Sequence, residues 1–207
     1  MNSRGWSRPG RLWLLLSALI LVGVGAALSL RHTPGGAEGL PVLGTVPDAQ
    51  FVAQDGRPFA LADLAGSVWV GDLIFTSCSG PCLRMTSQLY RVQENLKGEK
   101  GVRLVSISVD PARDNAERLA WYAGQAQADP DRWIFLTAPL ETVRPLATEG
   151  LKLVLDQNVK GEQLGILHSD RLVLVDGRMQ IRGYYDGLDT ASVQTLTQDI
   201  RSLLGRT

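Results

Sequence analysis

Two cysteines, Cys78 and Cys82, and two histidines, His32 and His168, are the whole thiol and imidazole inventory of this 207-residue sequence. A four-cysteine zinc site and a disulfide-dense scaffold are thereby excluded. The cysteines enclose the run Cys78-Ser79-Gly80-Pro81-Cys82, which falls where an apolar, strand-like stretch gives way to a helical pattern. At such a junction, free backbone N–H groups and the helix dipole favour a thiolate over a thiol. Cysteines four positions apart share one helical face, so their sulfurs can converge on a single ion, and a bent loop also permits a disulfide. A purely stabilising bridge is the plain alternative in an exported domain. It would close so short a loop that little chain entropy is removed, so reactive sulfurs are the reading preferred here.

The elements that must position these residues are legible from periodicity. Residues 68–75 form a short apolar run of strand character, and Met85, Leu89, Val92 and Leu96 then recur at helical spacing. Residues 102–109 alternate and are rich in β-branched side chains; Asp110-Pro111 interrupts them, and Leu119, Ala120 and Ala123 mark a further helical face. Residues 133–137 read as a strand, Leu140, Val143 and Ala147 as a helix, and residues 171–175 and 179–184 as a hairpin around Asp176-Gly177. A closing helix carries Val193, Leu196, Ile200 and Leu203, and a small extra hairpin is expected around Asp55-Gly56. Strands alternating with helices, followed by an antiparallel hairpin and a last helix, predict an α/β fold. Its expected form is a thioredoxin-like mixed sheet flanked by helices.

The amino end has a different character. Residues 12–30 carry no charge and are long enough to cross a bilayer as a helix, with Arg4, Arg8 and Arg11 before them and only Arg31 close behind. Residues 1–31 are therefore expected to be a membrane anchor, or else an export signal, with everything beyond Arg31 outside the cytoplasm. Residues 32–41, with Pro34, Gly35, Gly36 and Gly39, have the composition of a flexible linker, and His32 is read as part of it. Residues 42–207 are the expected folded domain. Equal numbers of basic and acidic residues, 21 each, and 6% aromatics argue against nucleic acid as a partner.

The run from Phe75 through Thr76-Ser77-Cys78 to Cys82, the segment Ser108-Val109-Asp110-Pro111-Ala112-Arg113-Asp114, and Leu167-His168-Ser169-Asp170 together resemble the Sco/SenC family of membrane-anchored, copper-handling proteins. The resemblance runs from about residue 47 to the carboxyl end and includes the anchor. Leu83 stands where the family commonly has a proline, and Pro81 instead precedes the second cysteine. The resemblance implies that Cys78, Cys82 and His168 bind copper, with Asp110 near the site. Two thiolates and an imidazole are a soft, low-coordinate set suited to Cu(I) and able to hold Cu(II). Three ligands leave an open position through which an ion can be passed on.

By the same resemblance, the protein is expected to be a copper chaperone of the bacterial inner membrane, with its soluble domain on the periplasmic side. It would help mature the dinuclear copper site of cytochrome c oxidase subunit II, or serve a similar acceptor. The alternative is a thiol–disulfide oxidoreductase that draws on a thiol reductant, in which Cys78 attacks and Cys82 resolves the mixed disulfide. Asp72 keeps that alternative in view: it lies six positions before Cys78, the separation of the buried acid in thioredoxins, although an edge-facing, solvated carboxylate is an equally good reading. Met85 fits the apolar stripe better than a ligand role. Asp110 is divided between capping and a part in the site, and Asp114 is expected to be an N-cap.

Overall fold

The central strand of the fold is apolar apart from Asp72 and buried along its whole length, which fixes everything around it. A computed structural model describes residues 39–78, 80–156 and 167–205. Its strands and helices, in chain order, begin with β1 (Gly44–Thr45), β2 (Gln50–Ala53), β3 (Pro58–Ala60), a single 3-10 turn (Leu61–Leu64), β4 (Val68–Ile74) and α1 (Pro81–Asn95). They continue with β5 (Val102–Ser108), α2 (Ala116–Gln125), β6 (Trp133–Thr137), α3 (Leu140–Pro145) running on into a π-helical turn (Leu146–Gly150), and β7 (Leu155–Asp156). Last come β8 (Leu167–His168), β9 (Arg171–Val175), β10 (Gln180–Asp186) and α4 (Thr190–Leu204).

Among the described residues the main sheet has eight strands, in the order β1-β10-β9-β4-β5-β6-β2-β3. The neighbours β4, β5 and β6 are parallel, β9 runs antiparallel to β4, and β10 antiparallel to β9. This mixed α/β sheet with helices on both faces is the thioredoxin-like architecture expected from the pattern of elements. One face packs Val68, Val70 and Ile74 of β4 against Met85, Leu89 and Val92 of α1, Leu119 of α2 and Leu196 and Ile200 of α4. The other packs Trp69 and Leu73 against Val143 and Leu146, with Phe51 and the end of α3 closing over it. Met85, Leu89, Val92 and Leu96 are completely buried, each contributing about 1.5–3 kcal/mol, so α1 is pinned to the sheet along its length.

The compact unit begins at Leu40, whose carbonyl accepts hydrogen bonds from the Arg182 guanidinium. No helix among the described residues is long and apolar enough to cross a membrane, and the expected anchor, most of the linker and His32 lie outside those residues.

Candidate metal and thiol site

Each member of the site sits where one element ends. Strand β4 delivers the chain to Phe75, and the Cys78 N–H donates to the Phe75 carbonyl at 3.1 Å, closing a turn before α1 starts. Gly80 caps α1 without a side-chain bond, and Pro81 occupies the first helical turn, where its missing N–H would have had no intrahelical partner. Cys82 thus enters the helix one residue later and is fully buried, while Cys78 stays half-exposed; both are free thiols.

His168 arrives from the opposite side. Strands β7 and β8 pair antiparallel, with Leu155 opposite His168, and the Ser169 N–H donates to the Val154 carbonyl at 2.9 Å. The turn after β8 is tied down by the Gly187 N–H, which donates to the Asp170 carbonyl at 2.8 Å. A Cβ at position 187 would lie 2.9 Å from that oxygen and 3.1 Å from Met85, so the close approach requires glycine.

Across this junction Cys82 Sγ lies 3.1 Å from His168 Nε2. The other ring nitrogen, Nδ1, is 3.1 Å from the Ser169 carbonyl, which can only accept. Nδ1 therefore carries a proton, and in the neutral ring the Nε2 lone pair faces the sulfurs. The Phe75 ring meets the imidazole edge-on, with centroids 5.5 Å apart. Cys78 is close enough to both His168 and Cys82 for each to favour its thiolate. Among the described residues no group of three or more His, Cys, Asp or Glu side chains is yet drawn together as a metal cage.

Electrostatics divide the two sulfurs. Burial works to raise the Cys78 thiol, but the bonds from His168, from Cys82 and from the Gly80 and Cys82 N–H groups outweigh it and bring Cys78 down to about 7. Burial pushes the Cys82 thiol far up, and the hydrogen bond and negative charge of Cys78 push it further. Burial also opposes the charged form of His168, yet its bonds to Cys78 and Ser169 and the charge of Asp72 raise it overall. The reduced site therefore ionises first at Cys78, beside an imidazole whose charged form its neighbours favour, and the proton is retained on Cys82.

Asp72 is fully buried, which overturns the edge-facing, solvated reading: β4 is an interior strand, paired on both sides. Its Oδ1 accepts from Ser106 Oγ at 2.7 Å, Ser106 Oγ accepts from Trp133 Nε1 at 2.9 Å, and Oδ2 has no partner among the described residues. Burial pushes this carboxyl up to about 6. Asp110 pairs through its side chain with Arg113 at 2.9 Å, and its carbonyl accepts from the Arg113 and Asp114 N–H groups. Asp114 is not an N-cap. Asn115 caps α2 by accepting from the Arg118 N–H, while Asp114 is turned inward and fully buried. Met85 is core.

The SCO1/SenC family model matches residues 44–205. The chain belongs to the SCO1/SenC family. An SCO1 protein homolog of Bacillus subtilis strain 168 is 30% identical over 154 residues, covering 73% of this chain and 79% of that one. A protein of Stutzerimonas stutzeri described as a candidate copper-binding protein is 29% identical over 169 residues, covering 77% of this chain and 81% of the relative. Among solved structures, BsSco shares 29% identity with a TM-score of 0.71, covering 81% of this chain and 98% of its own. BsSco is described as a member of the Sco family of cytochrome c oxidase assembly proteins and as carrying a disulfide switch. The SCO1/SenC match spans β1 to α4, so it takes in all three segments that form the site.

Proposed function

We propose that the protein is a copper chaperone that takes up the ion through Cys78, Cys82 and His168 and passes it to an acceptor in cytochrome c oxidase assembly. The observation that carries this reading is the 3.1 Å approach of Cys82 Sγ to His168 Nε2, with Cys78 beside both. Two thiols and an imidazole converge from two distant segments, and soft, three-donor sets of this kind suit Cu(I). The description of the Stutzerimonas stutzeri relative and the Sco assignment of BsSco support the same cargo and the same destination.

Copper here is cargo. Uptake displaces the proton of Cys82 and needs the His168 ring nitrogen that faces the sulfurs unprotonated. Release is by ligand exchange at the open position, with half-exposed Cys78 the donor that an incoming acceptor thiol can replace first. The acceptor proposed is the dinuclear copper site of subunit II. Residues 12–30 would hold the chain in the inner membrane with the folded domain on the periplasmic side, a reading supported by Arg4, Arg8 and Arg11. A reporter fused after Thr207 should be active only outside the cytoplasm; activity inside would reverse that orientation.

The thiol–disulfide reading has its own support in the free pair of unlike sulfurs. Cys78 is accessible and ionised near neutral pH, as an attacking thiolate must be, and Cys82 is positioned behind it to resolve. The two readings separate at His168, since dithiol exchange needs only the sulfurs. A cell carrying His168→Ala should lose oxidase assembly at limiting copper and regain part of it when copper is added. Full assembly at limiting copper would favour the oxidoreductase.

A further inference from the structure

The Cys78 turn is fastened to the rest of the protein at Thr76, and the fastener is Asp114. The Thr76 N–H donates to Asp114 Oδ2 at 3.0 Å and the Thr76 hydroxyl to Oδ1 at 2.6 Å. Ser108, at the end of β5, donates its hydroxyl to Oδ2 at 2.6 Å. Both oxygens of a fully buried carboxylate are thereby occupied by donors from two strand ends. Arg118 Nε donates to Thr76 Oγ1 at 2.9 Å, so that hydroxyl is held in both of its roles. A buried carboxylate is retained only where such bonds replace its water, and bonds to an ionised acceptor are the strong kind.

We propose that Asp114 is the positioning residue of the thiol site, setting through Thr76 where Cys78 stands relative to Cys82 and His168. The connection is short and stiff. Thr76 lies inside the turn that the Cys78 N–H closes on the Phe75 carbonyl, and Phe75 is the ring set edge-on to His168. Holding the Thr76 peptide and hydroxyl together anchors that turn from within, one residue after Phe75 and two before Cys78. Asp114 touches neither sulfur nor imidazole, so it acts through the loop alone. A role in copper affinity rests on the ligand reading above, whereas a role in placing the cysteine pair does not.

The test uses the full chain, reduced, in detergent, with Thr76→Val, Thr76→Ser and Asp114→Asn. Valine keeps the branching of threonine and removes the hydroxyl; serine restores it. Two quantities are read: Cu(I) affinity by competition with a chromophoric chelator, and the equilibrium of the cysteine pair with glutathione. Thr76→Val and Asp114→Asn should each lower copper affinity by about tenfold to a hundredfold, the usual effect of removing a support behind a metal ligand. They should also move the glutathione equilibrium by about tenfold, and Thr76→Ser should return both quantities to near the original values. Should Asp114→Asn fail to fold, the valine and serine pair decides alone. Should the unaltered chain bind no copper, the ligand reading fails and the glutathione equilibrium still tests the positioning role. Folded Thr76→Val with unchanged values, or serine and valine variants equally impaired, would overturn the proposal.

Discussion

Cys82 and His168 lie 86 residues apart in the chain, yet Sγ and Nε2 approach to 3.1 Å where α1 begins and the short β8 ends. The contact is made by two elements that the sheet brings together, and the Ser169 carbonyl orients the ring for it. The copper reading depends on this meeting of a buried thiol with a ring nitrogen.

The two sulfurs should differ sharply in reactivity. With Cys78 brought down to about 7 and Cys82 pushed up by burial, roughly half of Cys78 is thiolate at pH 7 and almost none of Cys82. Brief treatment of the reduced protein with iodoacetamide should therefore modify Cys78 first, as read by peptide mass spectrometry. Equal labelling of the two would contradict the division of charge.

Asp72 makes an unusual contribution to stability. Its carboxyl is raised from the ordinary 3.8 to about 6, chiefly by burial. An acid raised on folding binds its proton more tightly in the folded state. Its contribution is fully present below about pH 3.8 and is lost as pH climbs through about 6. Asp72→Asn keeps the acceptor for Ser106 and removes the charge, so it should stabilise the protein at pH 7.5 by roughly 3 kcal/mol, with the gain shrinking towards pH 4. Urea melts of both proteins at the two pH values check this, and a gain that grows on acidification would refute it.

Leu83 is a place where this chain departs from the pattern commonly seen in its family. The side chain is 49% exposed and lies in the first turn of α1, where the backbone N–H has no intrahelical acceptor. Leu83→Pro should therefore change stability by less than about 1 kcal/mol, since proline is tolerated in a first turn. A large loss in a urea melt would show that Pro81 and a proline at 83 cannot share this helix start.

The main strands and helices were legible because each carries its own period. The apolar run of residues 68–75, broken only by Asp72, the alternation of residues 102–109 and the stripe from Met85 to Leu96 each announce one element. Strands β1, β7 and β8 were not, because two residues have no period; their pairing is imposed by β10 and by each other. The cysteines were conspicuous by type and spacing, but nothing in the residues around His168 says that it meets Cys82. That grouping came from the resemblance of three separated segments.

Asp72 and Asp114 were the hardest to read. A lone acid in an apolar strand is consistent with either an edge or an interior position, and only the partners of β4 decide between them. Asp114 and Asn115 are adjacent and both are good helix caps by type, so the exchange of roles follows from which of them faces the end of β4. Ser108 and Thr76, just at or beyond their strand ends and inside the motif segments, gain their structural meaning from that carboxylate.

The most direct measurement of the central claim is Cu(I) binding by the reduced protein against a competing chelator, compared with Cys78→Ser, Cys82→Ser and His168→Ala. The account predicts one copper per chain, loss of tight binding in either serine variant, and weakened retention in His168→Ala with the Cys78 to Cys82 disulfide still able to form. Undiminished copper binding in either serine variant would contradict it.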